Sequence, residues 1–327
     1  MIQRAFRSFR PRRIWTFTVA AIAVAGAVPA TSPMAQPSNR GFTVVETGRS
    51  YARLQDALDA VGDGQATIVV APGTYRQCAV QQAGRIRLAA QISGQSVLEG
   101  VACEGKAALV LRGAGAEITG LTFRGIAVPD GNGAGIRLEQ GDLSVSQSWF
   151  ADSQQGILTG SDWEADIVID KSTFSGLGTC ENDAGCAHSI YVGDYRSLRV
   201  TRSRFERGTG GHYLKSRAAR AEIRDNSFDD SAGRGTNYMI DLPAGGTGRI
   251  EGNWFVQGRD KENYSAFIAV GAEELLHDAD GLTISGNVAR FVPGLRRSSA
   301  FIADWTGHDL KIGENDLAPG IAGYEAR

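Results

Sequence analysis

The chain has 327 residues, of which 42% are hydrophobic and 21% are charged. This composition is typical of a soluble protein with a packed core, and it excludes a disordered chain. Glycine is unusually frequent, with 42 Gly against 9 Pro. The excess indicates many tight turns and argues against a helical bundle.

The first 35 residues have the pattern of a signal peptide. An apolar run covers residues 14–30, and small residues that permit cleavage follow at Ala30 and Ala35. The segment before this run carries five arginines: Arg4, Arg7, Arg10, Arg12 and Arg13. We therefore predict a signal peptide at 1–35 and a periplasmic or secreted domain at 36–327. An uncleaved membrane anchor is the alternative, although the run is at the short limit for spanning a bilayer.

Cleavage would make the mature protein mildly acidic. The leader contains five arginines and no acid, so the formal net charge moves from −2 to −7. A basic surplus, which general nucleic-acid binders show, is absent, and we expect no nucleic-acid partner. Nor do we expect membrane contact after cleavage. Affinity for an acidic ligand would have to come from a local cluster of cations.

The first predicted element of the mature chain is an amphipathic helix from Ser50 to Val61. Leu54, Ala57, Leu58 and Val61 fall on one of its faces. A short apolar strand segment follows at 68–75. A helix in this place would cap the open edge of the sheet that begins there.

A repeat then runs through the rest of the chain. Phe recurs at intervals of 27, 24, 31, 23 and 27 residues, each time shortly after a Ser, Asn or Gly: Phe123, Phe150, Phe174, Phe205, Phe228 and Phe255. A second family of short strands recurs between them, at Ile136, Ile157, Ile190, Leu214, Ile240, Ile268 and Ile302. Two or three strands per coil of about two dozen residues predict an all-β parallel solenoid, with Phe stacked inside and Ser or Asn forming a ladder at a turn. A propeller or a leucine-rich repeat fits the period and composition less well.

These segments resemble the secreted β-helix proteins of the pectate-lyase-like superfamily. The resemblance rests on Ile68-Val-Val-Ala-Pro-Gly-Thr-Tyr75, on Gly-Leu-Thr-Phe123 and on the repeated Asn-x-Phe, and it covers roughly residues 43–320. It implies a single-stranded right-handed parallel β-helix with a short N-terminal capping helix. It also implies a carbohydrate ligand, but the superfamily includes lyases, hydrolases, epimerases and phage tailspikes, so the fold does not select a reaction.

Four cysteines predict two disulfides in an exported protein. Cys78 and Cys103 lie 25 residues apart, about one coil, so a bridge between them would link neighbouring coils. Cys180 and Cys186 would close a small loop. A zinc site is the alternative, but no nearby His pair completes a four-ligand set.

The register of the second strand family predicts which residues point outward. If the aliphatic residues point inward, the residues that follow them lie about 4.8 Å apart on successive coils of the outer face. This column contains Arg137, Leu158, Tyr191, Lys215, Asp241, Ala269 and Ala303. The next outward positions are Glu139, Gly160, Gly193, Arg217, Pro243, Gly271 and Trp305.

Tyr191, Lys215, Arg217 and Asp241 form the most chemically informative part of this face. His188 and His212 repeat the same offset beside it, with Tyr238 as their counterpart on the next coil. Gly193 and Gly271 flank the cluster, where a ligand could approach the backbone. The alternative is structural: outward charges on a solenoid are commonly a solvated face, and the histidines share strand parity with inward residues.

The chemistry that suits this cluster is β-elimination on a uronic-acid polysaccharide. Removing the proton beside a carboxylate requires a neutralised carboxylate, a base, and an acid for the leaving oxygen. Arg217 is predicted to hold the carboxylate. Lys215, Tyr191 and His212 are candidates for base or acid, and Asp241 for orienting Lys215.

The predicted function is therefore a polysaccharide lyase or related epimerase that needs no metal or other cofactor. Pectate-lyase calcium sites need several acidic ligands, and no such set faces the cluster. A hydrolase and a non-catalytic carbohydrate-binding or cell-envelope protein remain the alternatives.

Overall fold

A computed structural model of the chain describes residues 41–181 and 185–327. The predicted signal peptide, 1–35, lies outside these residues. Within the described ranges, no helix is long and apolar enough to cross a membrane.

The chain winds into a parallel β-solenoid of about nine coils, as predicted. Its strands, numbered in chain order, form three sheets that run along the solenoid. In each sheet a strand pairs in parallel with its counterparts one coil before and one coil after, except that β1 pairs antiparallel with both β2 and β3. Every inward side chain therefore sits on the equivalent side chain of the previous coil.

The first sheet has twelve strands: β1 (Phe42–Val44), β2 (Arg49–Tyr51), β3 (Gln65–Val70), β6 (Arg85–Ala90), β9 (Gly115–Thr119), β12 (Asp142–Ser146), β15 (Asp162–Asp170), β18 (Tyr195–Thr201), β21 (Arg220–Arg224), β24 (Thr247–Glu251), β27 (Thr283–Ser285) and β30 (Lys311–Ile312). The second has ten: β4 (Gly73–Tyr75), β7 (Ser96–Glu99), β10 (Leu121–Arg124), β13 (Trp149–Ala151), β16 (Thr173–Ser175), β19 (Arg204–Glu206), β22 (Ser227–Asp229), β25 (Trp254–Gln257), β28 (Val288–Phe291) and β31 (Asp316–Leu317). The third also has ten: β5 (Ala79–Gln81), β8 (Ala107–Leu111), β11 (Ala134–Leu138), β14 (Gln155–Thr159), β17 (Ile190–Val192), β20 (Leu214–Ser216), β23 (Ile240–Leu242), β26 (Ala266–Val270), β29 (Ser299–Asp304) and β32 (Ile321–Ala326).

The predicted phenylalanine stack forms the centre of the core. Six rings from Phe123 to Phe255 lie face to face on the second sheet, with centroids 4.6–5.0 Å apart. All six side chains are buried. Ala289 and Leu317 continue the column beyond Phe255. The recurring Phe therefore fixes the register of each coil on the next.

The Ser and Asn residues that precede the Phe rings form the predicted ladder, at the corner between the first and second sheets. Each side-chain amide of Asn226, Asn253 and Asn287 donates to the amide oxygen of the next Asn, at 2.9–3.0 Å. Ser203 joins the same ladder, because its backbone N–H donates to Asn226. These contacts satisfy polar groups that the corner buries.

The N-terminal cap differs from the prediction at its start. Helix α1 spans Leu54–Val61, whereas Ser50 belongs to strand β2, which pairs with β1. Burial of Leu54, Ala57 and Leu58 agrees with the predicted apolar face. The helix begins late because Ser50 and Tyr51 find strand partners in Thr43 and Phe42.

A buried ion pair ties three coils together at the corner between the second and third sheets. Asp230 and Lys261 have fully buried side chains, with Oδ2 3.3 Å from Nζ. The same carboxylate accepts hydrogen bonds from Tyr213 Oη at 2.8 Å, Thr236 Oγ1 at 2.7 Å and the backbone N–H of Gly258 at 3.0 Å. A buried carboxylate is tolerated when its oxygens are satisfied in this way.

Both predicted disulfides are formed. Cys78–Cys103 joins the segments that lead into β5 and β8, which are paired neighbours in the third sheet. Cys180–Cys186 closes the loop that leads towards β17. The first bridge therefore links adjacent coils, as the register requires.

Candidate functional site

The structure has the register that the sequence predicts for the outer face of the third sheet. Tyr191 pairs with Lys215 across β17 and β20, and Lys215 pairs with Asp241 across β20 and β23. Arg217 follows β20 directly, on the coil that carries Lys215. The predicted cluster is therefore brought together in space.

A glutamate that the repeat did not reveal completes the cluster. Glu273 Oε1 lies 2.6 Å from Lys215 Nζ, and Glu273 Oε2 accepts a hydrogen bond from Arg217 Nη2. Asp241 Oδ2 is also within 3.4 Å of Lys215 Nζ. Two carboxylates and two cations thus form one network, in which Asp241 contacts Lys215 and Glu273 is the closer partner.

Glu273 reaches the cluster because its loop turns back along the solenoid. The loop follows β26. The backbone N–H of Glu273 donates to the carbonyl of Pro243, one coil earlier, at 3.1 Å. Further along this loop, His277 Nε2 lies 2.9 Å from Asp194 Oδ1, beside β17. A coil-by-coil repeat predicts contacts between neighbours, and it contains no signal for such a return.

The cluster is more buried than an outward face of a solenoid would suggest. Lys215 is 9% exposed and Asp241 is 3% exposed. Burial raises the pKa of Asp241 to about 6, while Lys215 opposes this shift. Asp241 Oδ1 is buried without a hydrogen-bond partner among the described residues. The interpretation as a solvated charged face is therefore wrong for these two side chains.

The two histidines stack at the corner that leads into the third sheet. Their ring centroids are 4.8 Å apart, and Tyr238 continues the stack at 5.5 Å from His212. The backbone N–H of His212 donates to Nδ1 of His188 at 3.0 Å, and Nε2 of His212 lies 3.3 Å from Asp241 Oδ2. His212 therefore contacts the cluster from its buried side.

Both histidines are held in the neutral form. Burial, reinforced by the charges of Lys215 and Arg217, lowers the pKa of His188 to about 3. Burial also lowers the pKa of His212 well below its usual range, with further contributions from His188 and nearby lysines. A neutral His188 can accept the hydrogen bond from His212, which a protonated ring cannot.

This burial predicts a pH-dependent contribution of His188 to stability. Its folded pKa, about 3, lies below the ordinary value of 6.5, so the stability is present above pH 6.5 and is lost as pH falls towards 3. Asp241 has a raised folded pKa, so its contribution to stability is lost as pH rises towards 6. In a comparison of wild type with His188→Gln by urea unfolding, the wild type should lose about 2 kcal/mol more between pH 7.5 and pH 5. Parallel stability curves for the two proteins would contradict this account.

Tyr191 lies where the cluster meets a groove. Lys215 Nζ is 5.8 Å and the Arg217 guanidinium 5.6 Å from the centroid of its ring. The ring of His188 packs edge-on against it at 5.5 Å. Tyr191 is thus fixed between two cations and a neutral histidine.

The groove itself is a cavity of about 520 Å³ on the outer face of the third sheet. Tyr191 and Arg217 lie at one end of it, and the basic residues Lys106 and Arg137 line it further towards the N-terminal coils. Asp130 also contributes, with a carboxylate that accepts a hydrogen bond from the backbone N–H of Asn132. The cavity therefore has the size for a small part of a polymer, and its lining carries three cations and one carboxylate.

The two flanking glycines serve the packing of coils and do not need a ligand to explain them. A Cβ on Gly193 would lie 2.1 Å from the carbonyl oxygen of Gly160 on the previous coil. A Cβ on Gly271 would lie 2.5 Å from Thr306 Cγ2, and its φ of +71° favours glycine. Both positions therefore have a steric reason to be glycine, and Gly193 also lines the groove described above, so the prediction that a ligand approaches there stays a prediction.

One group of side chains in the described ranges has donor atoms close enough to share a metal ion: Asp278, Asp280 and His308. Local hydrogen bonds already use these atoms. Nδ1 of His308 accepts from the backbone N–H of Ala279 at 3.0 Å, and Asp278 accepts from the backbone N–H of Asp280 at 2.7 Å. These bonds account for the arrangement without an ion.

Comparison with known proteins identifies the fold. The family described as "Right handed beta helix region" matches residues 107–289, more than half of the chain. An alginate lyase from Paenibacillus sp. str. FPU-7 is 17% identical with a TM-score of 0.56, over 83% of this chain and 94% of that one. ORF18 of Geobacillus virus E2 is 12% identical with a TM-score of 0.47, over 83% of this chain and 56% of that one. The PL6 family alginate lyase AlyGC is 14% identical with a TM-score of 0.46, over 80% of this chain and 38% of that one. No curated protein matches the chain. Identities this low show likeness of fold alone.

Proposed function

Because this chain belongs to the right-handed β-helix family, we propose that it binds an acidic polysaccharide in the groove of the third sheet and cleaves it by β-elimination. The observation that carries the proposal is the juxtaposition of Tyr191 with two cations, Lys215 and Arg217, at the end of a cation-lined groove. β-Elimination needs these groups: positive charge for the carboxylate, and a group that moves protons.

Arg217 has free capacity to bind a uronate carboxylate. Among the described residues, only its Nη2 has a hydrogen-bond partner, which is Glu273. The Nε and Nη1 groups remain for a ligand, and Arg217 lines the groove. In the reaction, the electron pair left by the departing proton moves towards the carboxylate, and a charge-assisted hydrogen bond there stabilises the intermediate.

Tyr191 is the member of the cluster best placed to move protons. Its side chain lines the groove, whereas Lys215 is almost covered and is held by two carboxylates. We assign both proton transfers to Tyr191: its side-chain oxygen takes the proton from the carbon beside the carboxylate and returns it to the leaving glycosidic oxygen. The C–O bond breaks as the carbon–carbon double bond forms, so one product gains a hydroxyl and the other an unsaturated ring. Lys215 supplies positive charge beside the developing negative charge.

The roles of His212 and Asp241 in this proposal are supporting ones. His212 is largely covered and does not line the groove, and its Nε2 lies 3.3 Å from Asp241 Oδ2. Asp241 contacts both His212 and Lys215, so it positions the lysine. His188 packs against Tyr191 and holds the backbone of His212.

The test is an assay of the purified protein on alginate, pectate, glucuronan and acidic exopolysaccharides. We expect ultraviolet absorbance from an unsaturated uronate with at least one of them. New reducing ends without absorbance would replace the lyase with a hydrolase. Inverted uronate units without chain cleavage, detected by NMR, would indicate an epimerase, which shares the proton abstraction. Binding with unchanged chain length and composition would indicate a carbohydrate-binding protein.

A further inference from the structure

Arg137 is a cation on the groove that has no ion-pair partner among the described residues. It lies in the same outward column as Tyr191, on strand β11, and it lines the same cavity. Its Nε is buried without a hydrogen-bond partner in the described ranges. Burying part of a guanidinium without a counter-charge has a free-energy cost. A ligand with a negative charge would reduce this cost.

Each of the other cations of the groove has at least one acidic partner, although Arg217 keeps free N–H groups. Lys106 Nζ lies 2.6 Å from Glu139 Oε1 and 3.3 Å from Glu104 Oε2. Arg217 shares Glu273 with Lys215. Arg137 is therefore the lining cation whose charge is available in full to an anion.

Spacing relates Arg137 to the proposed reaction centre. Arg137 pairs with Leu158, and Leu158 pairs with Tyr191, so the two functional side chains are two coils apart. Neighbouring strands are about 4.8 Å apart, which puts their backbones roughly 10 Å from each other. Between them, the partly exposed Leu158 offers an apolar surface on which the face of a sugar ring can pack.

From these observations we propose that Arg137 binds the carboxylate of a second uronate unit, two sugar positions from the unit that reacts at Tyr191. The polysaccharide then lies along the solenoid axis, with successive sugars on successive coils. This inference rests on the proposed function and adds to it a requirement: the substrate must carry negative charge away from the point of cleavage and must be longer than a disaccharide.

The test measures binding and cleavage of saturated oligouronates with two to five units, prepared from alginate, pectate, glucuronan and acidic exopolysaccharides. Against tetramers, Arg137→Gln should bind about 10- to 100-fold more weakly than wild type, the loss expected for a charge-assisted hydrogen bond. Its KM should rise by a similar factor while kcat stays near the wild-type value. Arg137→Lys, which keeps the charge, should recover part of the affinity. Against dimers, which cannot span two coils, wild type and Arg137→Gln should be equal.

The control is Arg199→Gln, which removes an exposed arginine from the first sheet. It should leave both binding and cleavage unchanged. Thermal unfolding should first show that Arg137→Gln is folded. If this variant then binds and cleaves tetramers as well as an active wild type does, the assignment of Arg137 is wrong and the proposed function stands. An equal loss for dimers and tetramers would also overturn it, because the effect would not come from a distant sugar. A wild type that neither binds nor cleaves any of these oligomers overturns the proposed function and the subsite together.

Discussion

Arg217→Ala should lower turnover of the acidic polysaccharide at least about 100-fold, the effect of removing one preorganised group that stabilises developing charge. Lys215→Met should have an effect of similar size, since it removes the second positive charge beside Tyr191 while keeping the volume of the side chain. The measurement is the initial rate of unsaturated product formation at saturating substrate. We expect the loss mainly in kcat, because these charges act on the intermediate more than on the bound substrate.

Arg199→Ala and Arg224→Ala are the matched controls for this prediction. Both arginines point outward from the first sheet and are exposed. Their removal should leave turnover within about twofold and stability within about 1 kcal/mol. Lys215→Met is expected to cost stability as well, because it leaves the buried Asp241 without its cation. Full activity in both Arg217→Ala and Lys215→Met would remove this cluster from the mechanism.

Asp230→Asn should destabilise the fold by about 3–5 kcal/mol, the usual cost of breaking one partner of a buried ion pair. The substitution keeps the shape of the side chain but leaves the ammonium of Lys261 buried without a counter-charge. It also removes one of the two acceptor oxygens: Tyr213 and Thr236 both donate to Oδ1, and the backbone N–H of Gly258 donates to Oδ2. The amide NH2 of asparagine must therefore face one of these sets of donors. Thermal unfolding should show a decrease in Tm of roughly 6 °C or more.

The adjacent residue provides the control for that change. Asp229→Asn alters the same chemical group one position away, on a side chain that is partly exposed and whose nearest cation, Arg204, is at 3.6 Å. Its effect should stay within about 1 kcal/mol. Similar Tm values for Asp230→Asn and wild type would mean that the buried pair does not stabilise the corner.

The fold could be predicted because each coil repeats the same sequence pattern. Phe at nearly constant intervals requires a stacked core, and Asn two residues earlier requires a ladder at the turn; both occur as predicted. The outward column from Arg137 to Asp241 follows from the same register, because side chains alternate across a strand. The predicted start of the capping helix was wrong because Ser50 and Tyr51 belong to strand β2. The local sequence pattern does not distinguish a first helical turn from a short strand at these positions.

The site was only partly predictable, since part of it comes from outside the repeat. Glu273 belongs to an irregular loop and reaches residues 58 and 56 positions earlier. Burial of Lys215 and Asp241 depends on this loop and on the histidine stack, neither of which alternation along a strand can reveal. The role of Gly193 likewise depends on a backbone carbonyl of another coil.

The loop that carries Glu273 has a consequence for how the molecule unfolds. In a solenoid, each coil contacts only its neighbours, so opening from one end can proceed one coil at a time. Here Glu273 and His277 connect the coil of β26 to residues on the coils of β20 and β17. Fraying of the C-terminal coils as far as β26 would therefore release Lys215, Arg217 and Asp194 together. We expect amide hydrogen exchange in these coils to be coupled, so that they behave as one cooperative unit with a single opening free energy.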